Sequence, residues 1–323
     1  MKSGSNLEKV LASGKPAVTA ELGPPMSADP HEVVHKAKQL KGFCDAANIT
    51  DCQTAVVRIS SIAAAAIAFQ NGLEPVMQMT CRDRNRIAIQ ADLLGAAALG
   101  LKNCLCLAGD HQKFSAAGRL KGHPGAKNVY DLDTSQLVSM LKKMRDERKQ
   151  EGGDPIEVPP KFFIGASWTP MGDPIDIRPM NLLKKVNAGA DFIQTQGIYD
   201  MELFRAQMAK IRDLGLHERT AILAGIIVPK SAMMLKYMDS SVAGVSVPKA
   251  MIDRMSKAKA AAGEDKKKMK ELQEQEGIKI TIELIHQALE TPGVKGVHIQ
   301  AIEWESAIEG IVKAAGLYPR PSF

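Results

Sequence analysis

Aromatic residues are scarce in this chain: Phe, Tyr and Trp together make 4% of 323 positions. Nucleic-acid surfaces interleave cations with stacking aromatics, so this scarcity, beside a formal net charge of only +6, argues against a nucleic-acid partner. Cysteine is thin as well. Cys44, Cys52, Cys81, Cys104 and Cys106 are an odd number and none forms a C-x-x-C pair, so a reducing, cytoplasmic setting is the simplest expectation. Long hydrophobic runs are missing. The longest uncharged apolar stretch, between Arg58 and Glu74, is short and diluted by Ala, Ser, Gln and Asn, and no membrane span is expected. Met1-Lys2-Ser3-Gly4-Ser5-Asn6 also lacks the apolar run of a signal peptide.

What is present excludes disorder, because 45% hydrophobic and 24% charged residues suit a chain that buries a core. Short apolar runs bounded by Gly, Pro, Asp or Thr predict strands over Ala17–Leu22, Ala46–Thr50, Pro75–Thr80, Asn103–Ala108, Phe162–Ala166, Phe192–Gln196, Ala221–Ile226 and Val294–Ala301. Amphipathic segments between them predict helices, among them Pro30–Leu40, Val56–Gln70, Arg84–Leu99, Ser135–Lys149, Asn181–Ala188 and Met201–Leu214. Near-continuous apolar strands belong in a parallel sheet covered on both faces. Eight strand–helix units in about 300 residues fit a (β/α)8 TIM barrel better than an open sheet. With no Pro-rich or Ser-rich linker, residues 1–323 are expected to form a single barrel domain.

Two stretches depart from the repeat. Gly109–Asp133 is a polar, Gly-rich loop after the fourth strand, and a loop of that length on a barrel's functional face is read as a ligand loop. Pro248–Ala288 adds helices between the seventh and eighth strands, and its Lys266-Lys267-Lys268 run is expected to be a solvated helix face.

Barrel chemistry collects at the carboxyl ends of the strands. Those positions here hold Glu21, Thr50-Asp51, Thr80-Cys81-Arg82-Asp83, Gly109-Asp110-His111, Gln194 and Gln196, Pro229-Lys230, and Gln300 with Glu303. This polar ring lacks the His-rich or carboxylate-rich set that a hydrolytic metal needs, so no metal is expected. No G-x-G-x-x-G or G-x-x-x-x-G-K-[ST] is present. Glu21, set among apolar neighbours before the rigid Gly23-Pro24-Pro25 turn, is a candidate acid, because burial raises a carboxyl's pKa; a loop-bracing carboxylate is the alternative. Asp110 follows a glycine that permits close backbone approach, and it could equally cap the next segment. Gln194 and Gln196 share one face of the sixth strand, where amides suit the donor–acceptor edge of a heterocycle or pack with water. Cys104 and Cys106 share a face read as core.

These motifs together resemble the methylenetetrahydrofolate reductase family in its short bacterial form. The resemblance runs from about residue 15 to 320. It rests on Ala20-Glu21-Leu22-Gly23-Pro24-Pro25, Asn48-Ile49-Thr50-Asp51, Met79-Thr80-Cys81-Arg82-Asp83 and Leu107-Ala108-Gly109-Asp110, followed by Asn181–Ala190, Thr195-Gln196 and Ala224-Gly225-Ile226. It implies a barrel enzyme that reduces 5,10-methylenetetrahydrofolate to 5-methyltetrahydrofolate by hydride transfer from a flavin, FAD by family default with FMN as the alternative. NADH or NADPH would be the electron donor. It further implies Glu21 as general acid, Asp110 as a carboxylate beside the flavin, and folate contacts from Glu21, Gln196 and Gln300. Flavin contacts would come from Thr50, Asp51, Cys81, Arg82, Gly109, Asp110, His111, Ala126, Lys127, Trp168, Asn181 and Lys185. The chain departs from the family at Ala166-Ser167-Trp168-Thr169, at Arg178, at Ala232-Met233 and at Ile302-Glu303-Trp304. A homo-oligomer, or a complex with an electron-transfer partner subunit, is the expected assembly. Two other readings stay open: a pterin-binding barrel methyltransferase, and a non-catalytic barrel subunit.

Overall fold

A computed structural model describes residues 1–113, 115–116, 119–120 and 122–323, the two short pairs as backbone only. Its strands are β1 (Ala17–Leu22), β2 (Ala46–Ile49), β3 (Pro75–Thr80), β4 (Asn103–Leu107), the two-residue strands β5 (Ser115–Ala116) and β6 (Arg119–Leu120), β7 (Phe163–Trp168), β8 (Phe192–Gly197), β9 (Ala221–Ile227) and β10 (Val294–Gln300). The eight longer strands pair in parallel and close into a barrel, β1-β2-β3-β4-β7-β8-β9-β10 and back to β1. β5 and β6 form an antiparallel ribbon inside the long loop after β4. The structure is therefore the expected (β/α)8 barrel, and β1 and β3 carry the expected bounds.

The helices are α1 (Asn6–Ala12), α2 (His31–Leu40), α3 (Ser61–Gln70), α4 (Arg86–Ala98), α5 (Thr134–Asp146), α6 (Arg178–Ala188), α7 (Met201–Asp213), α8 (Leu216–Arg219), α9 (Ala232–Ser241), α10 (Lys249–Ala260), α11 (Lys266–Leu289) and α12 (Ala307–Ala314). α3 starts five residues later than expected, and the reason is local. Cys52, Thr54 and Ala55 take positive φ in a tight turn, and Ser60 then caps α3 by accepting from Ala63 N at 3.3 Å. Asp133 opens α5 with a capping box to Gln136. Among the described residues no helix is long and apolar enough to cross a membrane. Lys266, Lys267 and Lys268 are exposed at the start of α11, as a solvated face requires.

Alternation along each strand divides the apolar side chains into two layers. Ala17, Ala46, Val76, Leu105, Phe163, Phe192 and Leu223 fill the barrel's lower interior, and Leu7 and Val10 of α1 plug it from below. Gly165 is needed there, because a Cβ would lie 2.2 Å from the Phe192 ring. Cys104 and Cys106 are buried on the outer face, against the helices. Below the barrel, Arg145 donates to Asp191 at 2.6 Å and to the Phe162 carbonyl at 2.8 Å, and Asp191 accepts from Ile164 N at 2.9 Å. Both side chains are buried, and without Arg145 the Asp191 carboxylate keeps only the half-exposed Lys2 as a cationic partner. Arg145→Met is expected to lower unfolding free energy by about 3–5 kcal/mol in urea titrations; a loss below about 1 kcal/mol would show that the pair is worth no more than a surface bridge.

Candidate active site

A cavity of about 340 Å³ opens at the carboxyl ends of the strands, opposite the α1 plug. Its lining includes Glu21, Asp51, Arg82, Gly109, Asp110, Gln196 and Gln300, so seven of the residues expected at the site meet at one place, with Thr80 and Gln194 of the strand-end ring beside them. Glu21 stands on β1 two residues beyond Thr19, on the inward face. Its side chain is 23% exposed, and its pKa is raised to about 7, first by burial and then by the neighbouring Glu305 carboxylate. Glu305 in turn holds Lys36 at 3.2 Å.

Below Glu21 lies a polar floor. Asn48 and Gln194 form a reciprocal amide pair, Asn48 Nδ2 to Gln194 Oε1 at 2.7 Å and Gln194 Nε2 to Asn48 Oδ1 at 3.1 Å. Gln194 Nε2 also donates to Thr19 Oγ1 at 3.1 Å. His298 sits between them, with Nδ1 3.0 Å from Thr19 Oγ1 and Nε2 3.4 Å from Asn48 Nδ2. The same Nε2 is 4.0 Å from the Glu21 carboxyl. Burial drives the His298 pKa down to about 3, so the ring is neutral at physiological pH.

One wall is braced by ion pairs. Asp51 accepts from Thr80 N at 3.1 Å, Thr80 Oγ1 at 2.9 Å and Arg84 Nη1 at 2.8 Å. Arg82 binds Asp83 and donates to the carbonyls of Cys52 and Asp110 at 3.2 and 3.1 Å. Gly109 takes φ +89, and a Cβ there would come within 3.1 Å of both Thr80 and Arg82. Asp110 itself is exposed and accepts from Thr54 N at 2.7 Å.

A second, neighbouring cavity of about 290 Å³ is lined by Asp133, Thr134, Ser135, Trp168, Thr169, Arg178, Asn181, Lys184 and Lys185. It collects three more of the residues expected at the site, Trp168, Asn181 and Lys185. Trp168 is buried and donates Nε1 to the Arg178 carbonyl at 3.0 Å. Lys185 donates to the Ser167 carbonyl, and burial, reinforced by Arg178, lowers its pKa to about 8. Arg178 is committed to its own loop, with Nε on the Gly172 carbonyl at 2.6 Å.

Five marked residues line neither cavity. Thr50 Oγ1 is turned to Gln53 at 2.8 Å. Cys81 follows the inward Thr80, so its thiol points into the outer core, where burial pushes its pKa up to about 12. His111, Ala126 and Lys127 are exposed on the long loop. The cavity also contains residues the sequence reading left out of its site: Asn48, Gln78 and His298. Alternation was the available signal, since Gln78 and His298 lie two positions before Thr80 and Gln300 on their strands. Among the described residues no group of three His, Cys, Asp or Glu side chains is placed to hold a metal.

Comparison with known proteins gives the family and the fold. Methylenetetrahydrofolate reductase 1 of Schizosaccharomyces pombe is 26% identical over 249 residues, covering 76% of this chain and 36% of that protein. The probable methylenetetrahydrofolate reductase (NADPH) of Caenorhabditis elegans is 24% identical over 269 residues, covering 81% and 35%. The chain thus spans about a third of the length of these curated relatives. In fold, a solved protein from Clostridium thermocellum, described as binding two copies of 5-methyl-5,6,7,8-tetrahydrofolic acid, superposes with a TM-score of 0.61 at 14% identity, over 96% of this chain and 99% of that one. The model of the methylenetetrahydrofolate reductase family matches residues 6–316, nearly the whole sequence, and the chain belongs to that family.

Proposed function

We propose that this chain reduces 5,10-methylenetetrahydrofolate to 5-methyltetrahydrofolate, with residues 1–323 acting as one catalytic barrel. The observation that carries the reading is Glu21: a carboxyl poised near neutrality, at a strand end, facing a ring of amides. A pterin presents alternating donors and acceptors along its edge, and the amides of Gln196 on β8 and Gln300 on β10, two strands apart around the mouth, offer both kinds. The family's flavin fits the same site. The side-chain amides of Gln78 and Gln300 line the cavity without a hydrogen-bond partner among the described residues, which suits a flat heterocycle with several polar edges. Gly109, Asp110 and Arg82 would hold its ring system, and Asn181, Lys185 and Ser135 in the second cavity would hold its phosphate end. When bound, the flavin supplies the hydride, with NADH or NADPH as the proposed source of electrons and a partner subunit as the alternative source.

The chain's own contribution is proton placement. Glu21 gives its proton to the bridging nitrogen of the folate's five-membered ring. The carbon–nitrogen bond then breaks with its electron pair going to that nitrogen, leaving a cationic iminium carbon and the Glu21 carboxylate. A general acid works best with a pKa near the working pH, which is where Glu21 stands. The walls built by Asp51, Arg84 and Arg82 keep the mouth in shape while ligands exchange.

The visible absorption spectrum of the purified chain, before and after anaerobic NADH and then NADPH, tests the proposal. A flavin spectrum that bleaches with one donor and recovers on adding methylenetetrahydrofolate is the expected result. A flavin that neither donor bleaches would assign the electrons to a partner subunit. A colourless protein that takes up neither FAD nor FMN would refute the flavin-dependent reaction.

A further inference from the structure

The geometry points to His298 as a positioning residue that keeps the proton on Glu21, by presenting a bare ring nitrogen to that carboxyl. The inference rests on the reading of Glu21 as the acid of the reaction.

Hydrogen counting around Thr19 carries the argument. Thr19 Oγ1 has one hydrogen and three polar neighbours: the Val297 carbonyl at 3.4 Å, Gln194 Nε2 at 3.1 Å and His298 Nδ1 at 3.0 Å. The carbonyl can only accept and the amide nitrogen can only donate, while Nδ1 can do either; because an Asn48 Nδ2 hydrogen faces Nε2, Nε2 accepts and Nδ1 donates, which leaves the hydroxyl's hydrogen for Val297. His298 Nδ1 then carries the ring's proton, and Nε2 is bare. At Asn48, one Nδ2 hydrogen goes to Gln194 Oε1 and the other faces Nε2 at 3.4 Å, which is what settles the tautomer. Turning both amides over would keep their reciprocal pair but surround the single Thr19 hydrogen with three acceptors. That arrangement leaves two buried acceptors unsatisfied, a costly outcome in a sealed floor.

The bare Nε2 lies 4.0 Å from Glu21. A lone pair there repels a carboxylate, whereas a protonated carboxyl can turn its hydrogen toward it. No donor from the described residues lies within hydrogen-bond reach of the Glu21 carboxyl to favour the charged form. The other charged groups near it work in the same direction or are already paired. Glu305 raises its pKa, and Lys36 is engaged with Glu305 and with the Gly23 carbonyl at 3.0 Å. Across the cavity Asp51 is paired with Arg84 and Arg82 with Asp83, while Asp110, exposed to solvent, accepts from the Thr54 amide. His298 cannot take the proton outright, since burial keeps the ring neutral.

Nitrogen-15 NMR of the purified full chain with labelled histidine reads this directly. At alkaline pH the expected His298 signals are a protonated Nδ1 and a bare Nε2. As pH falls through about 7, where Glu21 takes its proton, the Nε2 signal should move to a hydrogen-bonded position while Nδ1 keeps its proton. Glu21→Gln should abolish that transition. An Nε2–H tautomer, a doubly protonated ring, or a signal indifferent to pH would each overturn the inference. Turnover gives a second arm. His298→Leu removes the acceptor and should slow folate reduction by about tenfold or more, while His298→Gln places an amide oxygen near the Nε2 position and should recover most of it. Equal losses in the two variants would count against the inference. A wild-type chain that reduces no folate would refute the reductase reading, and the nitrogen signals would still decide where His298 holds its proton.

Discussion

Glu21→Gln is expected to slow folate turnover by about two orders of magnitude, while reduction of the bound flavin by its donor proceeds at close to the wild-type rate. The split follows from where the residue stands. Opening the folate ring needs a proton at the bridging nitrogen, and among the cavity's polar side chains Glu21 is the carboxyl raised to about 7. Asp51 is held by Arg84 and Thr80, and Asp110 is exposed on the Thr54 amide. Glutamine keeps the volume and can still donate a hydrogen bond, but it cannot release a proton. Donor oxidation asks for no such proton, so that half-reaction is the internal control. In the wild type, the folate half-reaction should fall about tenfold for each pH unit above 7, because only the protonated carboxyl is competent. Rapid-mixing measurement of the two half-reactions across pH settles both points. Unimpaired folate turnover in the variant would remove Glu21 from the chemistry.

That Glu21 could be found in the sequence reflects the physics of a parallel barrel. Strands covered on both faces must be apolar throughout, so a lone carboxyl inside Ala17–Leu22 is conspicuous. The same rule exposed Asn103–Ala108 and Ala221–Ile226 as strands, each within a residue of its observed end, and strand-end placement gathered Asp51, Arg82, Asp110, Gln196 and Gln300 around one mouth. The floor was harder to see. Asn48, Gln78 and His298 lie inside strands, one layer below the ends, where a polar residue is tolerated only if partners from other strands satisfy it. Asn48 meets Gln194 across 146 positions of sequence, and His298 meets Thr19 across 279. No local pattern announces such pairings. The long loop was opaque for a different reason. Periodicity orients helices and strands but says nothing about irregular backbone, so His111, Ala126 and Lys127 had no basis for placement beyond family motifs, and they stand exposed outside the cavities. Cys81 shows what the pleat adds: once Thr80 faces Asp51, the next side chain must face the outer core.

The same glutamine substitution should make the folded protein more stable at neutral and alkaline pH, even as it removes activity. Glu21 has a pKa of about 7 in the fold against an ordinary value of 4.5. A carboxyl whose pKa is raised by folding contributes its full stability below the unfolded value and loses it as pH climbs to the folded one. Between those limits the unfolded chain has released the proton and the folded chain has not, so stability declines steadily. Above about pH 7 the accumulated cost is on the order of 2–3 kcal/mol, since each pKa unit is worth about 1.4 kcal/mol and the group is partly open to the cavity. Glutamine carries no charge at any of these pH values and escapes that cost, while its amide can still approach His298 as the protonated carboxyl does. All other titrating groups are shared by the two proteins and cancel in the comparison. Urea unfolding of both proteins at pH 8 and near pH 4.5 therefore gives a difference in favour of the variant that shrinks toward zero on the acid side. Equal stabilities at pH 8 would mean that the carboxyl is not desolvated in the fold, and the acid role assigned to it would lose its physical basis. A stabilised but inactive variant would instead identify Glu21 as a group held in an unfavourable environment for the sake of the proton it delivers.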